Sequence, residues 1–202
     1  SIAGDVLEAS TTGDDAGREL AIALVGRDTD SLSAGQLRSA AVESAAENLA
    51  DGLVAPLLAF VLGSLVSLPV AVGAAAWVKG VNTLDSLYGY PDRRDGTPSA
   101  KLNDAVEWLP ARMSALLIAL ASGSVRSLLV ARRFARIPDS PNSGWPMATL
   151  AAAIEVKLEK PGTYCLNDGA PLPSETQARR GLDVVGRAGM LAFAAAGLLV
   201  LW

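Results

Sequence analysis

The chain has 202 residues, half of them hydrophobic, with a formal charge of -4, no histidine and one cysteine. This composition has room for one sizeable core and argues against a nucleic-acid surface. It also excludes Ser-His-Asp and Cys-His nucleophilic systems, His-ligated zinc and any internal disulfide. A metal here must be a hard ion such as Mg²⁺, held by Asp, Glu and phosphate.

Residues 1–30 are acidic and polar, unlike a secretory signal. Ser1 in place of Met is expected of a processed or excerpted chain. Residues 18–26 read as a short helix and Arg27–Asp30 as a turn. Ser33 then caps a helix running from about Gly35 to Ala50.

That helix carries ESAAENLADG (residues 43–52). On an ideal helix Glu43, Ser44, Glu47, Asn48 and Asp51 fall within an arc of roughly 140°. Val42, Ala45, Ala46 and Leu49 fill the other side. Carboxylates so close repel one another unless a cation, a proton or a basic partner compensates. The alternative is an ordinary solvated face.

Leu53 to Val78 holds no charge and is long enough, about 39 Å as a helix, to cross a bilayer core of roughly 30 Å. Gly63, Ser64, Ser67 and Pro69 allow one kinked span or two half-length helices that turn back. In the second case the polar motifs at its two ends converge on one cavity, with irregular backbone tolerated because protein buries it. NTLDSLYGY (residues 82–90) follows, with Asn82 and Asp85 one turn apart, and a polar loop runs from Tyr88 to Ser99.

AKLNDAVEWLPAR (residues 100–112) places Asp104 and Glu107 one turn apart, with Arg112 beyond Pro110. Met113 to Val130 is a second apolar block, interrupted by Arg126, which must snorkel or face a polar interior. SPNSGWP (residues 140–146) then breaks the chain before an Ala-rich helix from about Met147 to Leu158. Its glycine turn at a helix start offers N–H groups to a phosphate. No glycine-rich nucleotide loop of the P-loop kind is present. Glu159 to Gln177 is another break. Met190 to Trp202 is a third apolar block whose 13 residues read as interfacial or cut off.

The order and spacing of these four motifs resemble the adenosylcobinamide-phosphate synthase family of cobalamin biosynthesis, the CobD/CbiB family, over roughly residues 20–180. The resemblance implies an all-α polytopic protein of the inner (cytoplasmic) membrane. Residues 1–202 would then be a single helical membrane domain, the C-terminal two-thirds of the family's usual length, with 1–34 as its polar start. Asn103, Met147 and Glu159–Lys160 depart from the family's common Asp, Glu and Gly-Gly.

By analogy such a protein uses ATP and Mg²⁺ to join adenosylcobyric acid to (R)-1-amino-2-propanol or its O-phosphate by an amide bond, with no nucleic acid involved. The likeness implies catalytic roles for Glu43, Glu47, Asp51, Asp85 and Asp104, with Glu43, Glu47 and Asp85 as Mg²⁺ ligands. Ser44, Asn48, Asn82, Arg112, Ser140, Asn142 and Gly144 become substrate or phosphate contacts. Such chemistry needs positioning and metal electrostatics more than a protein nucleophile. The alternative is a non-catalytic membrane relative acting as scaffold or sensor.

Overall fold

A computed structural model describes residues 32–88 and 97–201. The helix expected at 18–26, the turn at Arg27–Asp30 and most of the Tyr88–Ser99 loop lie outside the described residues.

Helix α1 (Ala34–Asn48) starts where the sequence caps it. Ser33 Oγ accepts from Gln36 N–H, and Gln36 Oε1 accepts from Ser33 N–H, a reciprocal capping box. The rod continues through a π-helical stretch, Leu49–Val54, into α2 (Ala55–Ser64). Pro56 has no N–H to return to the preceding turn, and the chain widens just there, with Ala55 N–H reaching back to Ala50 O.

The uncharged run is two helices, not one span. α2 ends at Ser64, three residues turn, and α3 (Leu68–Tyr88) folds back against it. Gly63 makes this hairpin possible, because a Cβ there would stand 2.6 Å from Ala71 Cα.

Helix α4 (Thr97–Ser122) contains Pro110 and closes at Gly123, whose φ of +70° suits glycine alone at little cost. Ser124 N–H returns to Ala119 O in the helix-ending pattern such a glycine permits. This stop corrects the second apolar block: Arg126 lies outside the α4 span and opens α5 (Arg126–Phe134). The Ala-rich helix, α6 (Gly144–Ala153), is shorter than expected and ends before Glu155, which has φ +57°.

A small antiparallel hairpin follows, β1 (Leu158–Lys160) and β2 (Tyr164–Leu166), pairing Leu158 with Leu166 and Lys160 with Tyr164. It occupies part of the stretch expected to be a plain break. Helix α7 (Glu175–Val200) begins with a second capping box, Ser174 and Gln177. The third apolar block is therefore the end of a 26-residue helix, and the short interfacial reading is corrected.

The core lies where α1, α4, α6 and α7 meet, around Val42, Ala46, Ile118, Met147, Leu150 and Ile154. Other large apolar side chains point outward, among them Leu62, Leu68, Trp77, Leu120, Phe193 and Leu198. In water such a surface would aggregate; against acyl chains it is solvated. Among the described residues, Ala34–Ser64, Pro98–Ser122 and Glu175–Val200 are long and apolar enough to cross a membrane. The protein is a polytopic helical membrane protein.

Candidate functional site

The acidic stripe of residues 43–52 divides between two polar regions. Glu43 and Glu47 face a cavity of about 260 Å³ also lined by Ser44, Ser140, Ser143, Lys160, Thr163 and Tyr164. Glu43 is only 2% exposed, yet its carboxylate is well supplied with donors. Ser39 Oγ donates to Oε1 at 2.7 Å and Tyr164 OH to Oε2 at 2.6 Å. Ser39 Oγ in turn accepts from Glu159 N–H at 2.8 Å. The β-hairpin thus reaches 121 positions along the chain to position Glu43.

Asp51 turns to the second region. The π-helical stretch winds more widely than an α-helix, so Asp51 does not continue the Glu43–Glu47 line. It sits beside Glu107 of α4 and Asn82 of α3, with Lys79 and Asp85 near. The α2–α3 hairpin returns Asn82 and Asp85 to this point, so Asp51 alone of the first motif meets the second, and the single cavity expected for both motifs is corrected to two regions. Asn103 Nδ2 donates to Asp85 Oδ2 at 3.1 Å. Asp85 Oδ1, Asn103 Oδ1 and both Glu107 oxygens are buried with no hydrogen-bond partner.

The 140–146 turn links the two regions. Ser140 lines the cavity and its Oγ lies 3.4 Å from Asp104 Oδ1, while Asn142 Nδ2 donates to Asp104 O at 2.8 Å. Arg112 Nη1 donates to Asn142 Oδ1 at 2.8 Å and to Trp108 O at 2.6 Å. Its guanidinium lies 4.3 Å over the Trp108 ring and 5.4 Å from that of Trp145. Stacking and hydrogen bonds thus hold an arginine head at the join between the two acidic regions.

Two expected contacts land elsewhere. Asn48 does not line the cavity; its Nδ2 donates to Ser44 O and Oγ one turn back. Gly144 is buried against the Ala135 backbone, with no room for a Cβ, so its evident work is close packing. Among the described residues no three His, Cys, Asp or Glu side chains gather as a metal cage. Glu43, Glu47 and Asp85 are therefore not one ligand set: the first two face the cavity, and the α2–α3 hairpin commits Asp85 to Asn103.

Tyr164 and Lys160 were missed because the hairpin that brings them has no helical or strand periodicity long enough to read, whereas Ser39 sits one turn before Glu43 on α1 and its spacing could have found it. Glu107 was visible only as the neighbour of Asp104. Outside the spanning helices, Lys157 and Gln36 hold the Glu159 carboxyl below the usual carboxylate range. Burial pushes the Cys165 thiol up.

Fold and site together define a helical membrane protein with a histidine-free acidic centre. The model of the family described as CobD/Cbib protein matches residues 2–188, and the chain belongs to that family. It is 39% identical over 192 residues to "Probable cobalamin biosynthesis protein CobD" of Methanothrix thermoacetophila, covering 93% of this chain and 60% of the relative. It is 41% identical over 183 residues to "Cobalamin biosynthesis protein CobD" of Rhodobacter capsulatus, covering 85% and 56%. A third relative, "Probable cobalamin biosynthesis protein CobD" of Methanothermobacter thermautotrophicus, is 43% identical over 166 residues, covering 77% and 52%. The chain spans a little over half the length of these relatives. No solved structure matches.

Proposed function

We propose that this chain is the larger part of a membrane-bound, amide-forming ligase of cobalamin biosynthesis, adenosylcobinamide-phosphate synthase. Its substrates are adenosylcobyric acid and aminopropanol or its phosphate, at the cytoplasmic membrane. The observation that carries this reading is the family match along nearly the whole chain. The site supports it with chemistry suited to Mg²⁺-ATP: carboxylates, hydroxyls and one lysine around a cavity, and no imidazole.

Lys160, Ser44, Ser140 and Ser143 are the residues that would hold phosphate oxygens, with Glu47 offering an oxygen to the metal. Bound Mg²⁺-ATP supplies the phosphoryl group that makes a carboxylate oxygen able to leave. Glu43, oriented by Ser39 and Tyr164, presents fixed negative charge to that cavity without needing to reorganise. Asp51, Asp85, Asp104 and Glu107 receive the amine partner in this reading, and Arg112 joins the two sides.

The test is genetic and chemical. The full-length gene should rescue a corrinoid auxotroph lacking its own synthase and fed cobyric acid. The purified full-length protein should form the amide with ATP and Mg²⁺. Failure of both, with the protein folded in the membrane, would leave a non-catalytic relative.

A further inference from the structure

Where the Leu49–Val54 turn meets α3 and α4, the buried polar atoms are unbalanced in one direction. Asp85 Oδ1, Asn103 Oδ1, Glu107 Oε1 and Glu107 Oε2 all lack a hydrogen-bond partner. Asp85 Oδ1 and Asn103 Oδ1 are acceptors, as are the Glu107 oxygens when that carboxyl is ionised. Glu107 is 97% buried on its 3% exposure, so water does not freely bathe it. Asp51 beside it is a second carboxyl at hydrogen-bonding distance, able to share one proton with Glu107 but bringing no cation. The nearby ammonium, Lys79, is exposed and lies 3.4 Å from Asn82 Oδ1, leaving Glu107 without a donor.

We propose that this cluster is the subsite for a primary ammonium group, supplied by the amine substrate. It rests on the amide-forming reading and names the place of one of its two reactants. An ammonium has three donors and no acceptor, which is the complement of what Glu107, Asp85 and Asn103 leave open. A phosphate would meet carboxylates here without the lysine and serines that offset Glu43 and Glu47 in the other cavity. Mg²⁺ is held by one or two carboxylates together with waters and phosphate oxygens, and the residues suited to phosphate line the other cavity. A hydroxyl brings one donor and no charge.

The full-length protein in nanodiscs tests this by calorimetric titration with methylammonium, 1-amino-2-propanol and 1,2-propanediol. Both amines should bind and the diol should not. Glu107→Gln should weaken both amines about tenfold or more, the scale of a lost charge-assisted hydrogen bond, with Mg²⁺-ATP binding kept within about twofold. Asp85→Asn should weaken them in the same direction. If Glu107→Gln melts early, Asn103→Asp decides, since an added carboxylate should tighten amine binding.

Unchanged amine affinity in these variants would overturn the subsite, as would loss of Mg²⁺ binding with amine binding intact. The two readings fail separately. Amide formation with Glu107-independent amine binding overturns the subsite alone. Glu107-dependent amine binding in a protein that forms no amide overturns the ligase alone.

Discussion

Glu43 and Glu107 are equally buried, at 2% and 3% exposure, and their surroundings are opposite. Glu43 accepts from Ser39 and Tyr164, one donor to each oxygen. Glu107 has only the Asp51 carboxyl beside it and no hydroxyl, amide or other N–H donor to either oxygen. A buried carboxylate with donors is part of the architecture. One without them is a cost the fold carries, and such costs gather where a ligand is awaited. Burial alone therefore says little about which acidic residue serves chemistry.

The largest expected effect tests whether both surroundings serve one reaction. In the full-length enzyme, Glu47→Gln in the cavity and Asp85→Asn in the donor-poor cluster should each cut turnover by about a hundredfold or more. Melting temperature should stay close to that of the parent, since each amide keeps the shape and relieves repulsion. Amide formation measured beside a melting curve checks this. Normal turnover in one variant would remove that region from the reaction.

The second effect comes from the hairpin that creates the donor-poor cluster. Gly63→Ala puts a Cβ 2.6 Å from Ala71 Cα, so α2 and α3 must part. A backbone clash of this kind costs about 2–4 kcal/mol. Parting them moves Asp85 from Asp51, so turnover should fall even at temperatures where the protein stays folded. A parent-like melting curve would show that the hairpin tolerates a wider crossing than its geometry implies.

How much of this was legible depended on whether the signal was local. Ser33 announced the α1 cap, and Gly63 to Pro69 allowed the reversal beside a single kinked span, because both signals lie within a few residues. The Glu43–Glu47–Asp51 stripe misled because the α-helical period stops at Leu49. Gly123, an ordinary residue within an apolar run, separated α4 from Arg126, and only its positive φ marks the end. Tyr164 could not have been found by pattern, since its partner Glu43 is 121 positions away. Asp104 and Glu107 looked like one pair, but on the folded helix they diverge, one toward Ser140 and the other toward Asp51.

The third prediction sets the two glutamates directly against each other. Glu43→Gln places an amide N–H₂ against the donors of Ser39 or Tyr164, and should cost about 1–3 kcal/mol. Glu107→Met removes a buried carboxyl that has no hydroxyl or N–H donor and crowds Asp51, and should stabilise by about 1–2 kcal/mol while abolishing turnover. Denaturation of both variants in the same detergent gives the signs. Equal destabilisation by both would mean that the two carboxyls are held alike, and the contrast drawn above would fall.

The smallest effect lies in the outer support of Glu43. Glu159 gives its N–H to Ser39, which gives its hydroxyl to Glu43, so the hairpin's position matters to the cavity. The Glu159 carboxylate is itself tied by Lys157 at 2.7 Å and by Gln36 Nε2 at 3.0 Å. These partners lower its pKa in the folded protein, so the unfolded chain takes up the proton first as pH falls. The stabilisation is whole above the unfolded value, about pH 4.3, and is lost as pH falls through the lower folded value. Because Lys157 is a quarter exposed, solvent and salt screen the pair, and its worth is below about 1 kcal/mol. Lys157→Met should therefore lower the melting temperature slightly at pH 7 and leave it nearly unchanged at pH 3, with the gap shrinking in high salt. A gap that persists undiminished at pH 3 would show that Lys157 supports the hairpin by packing its stem rather than by its charge.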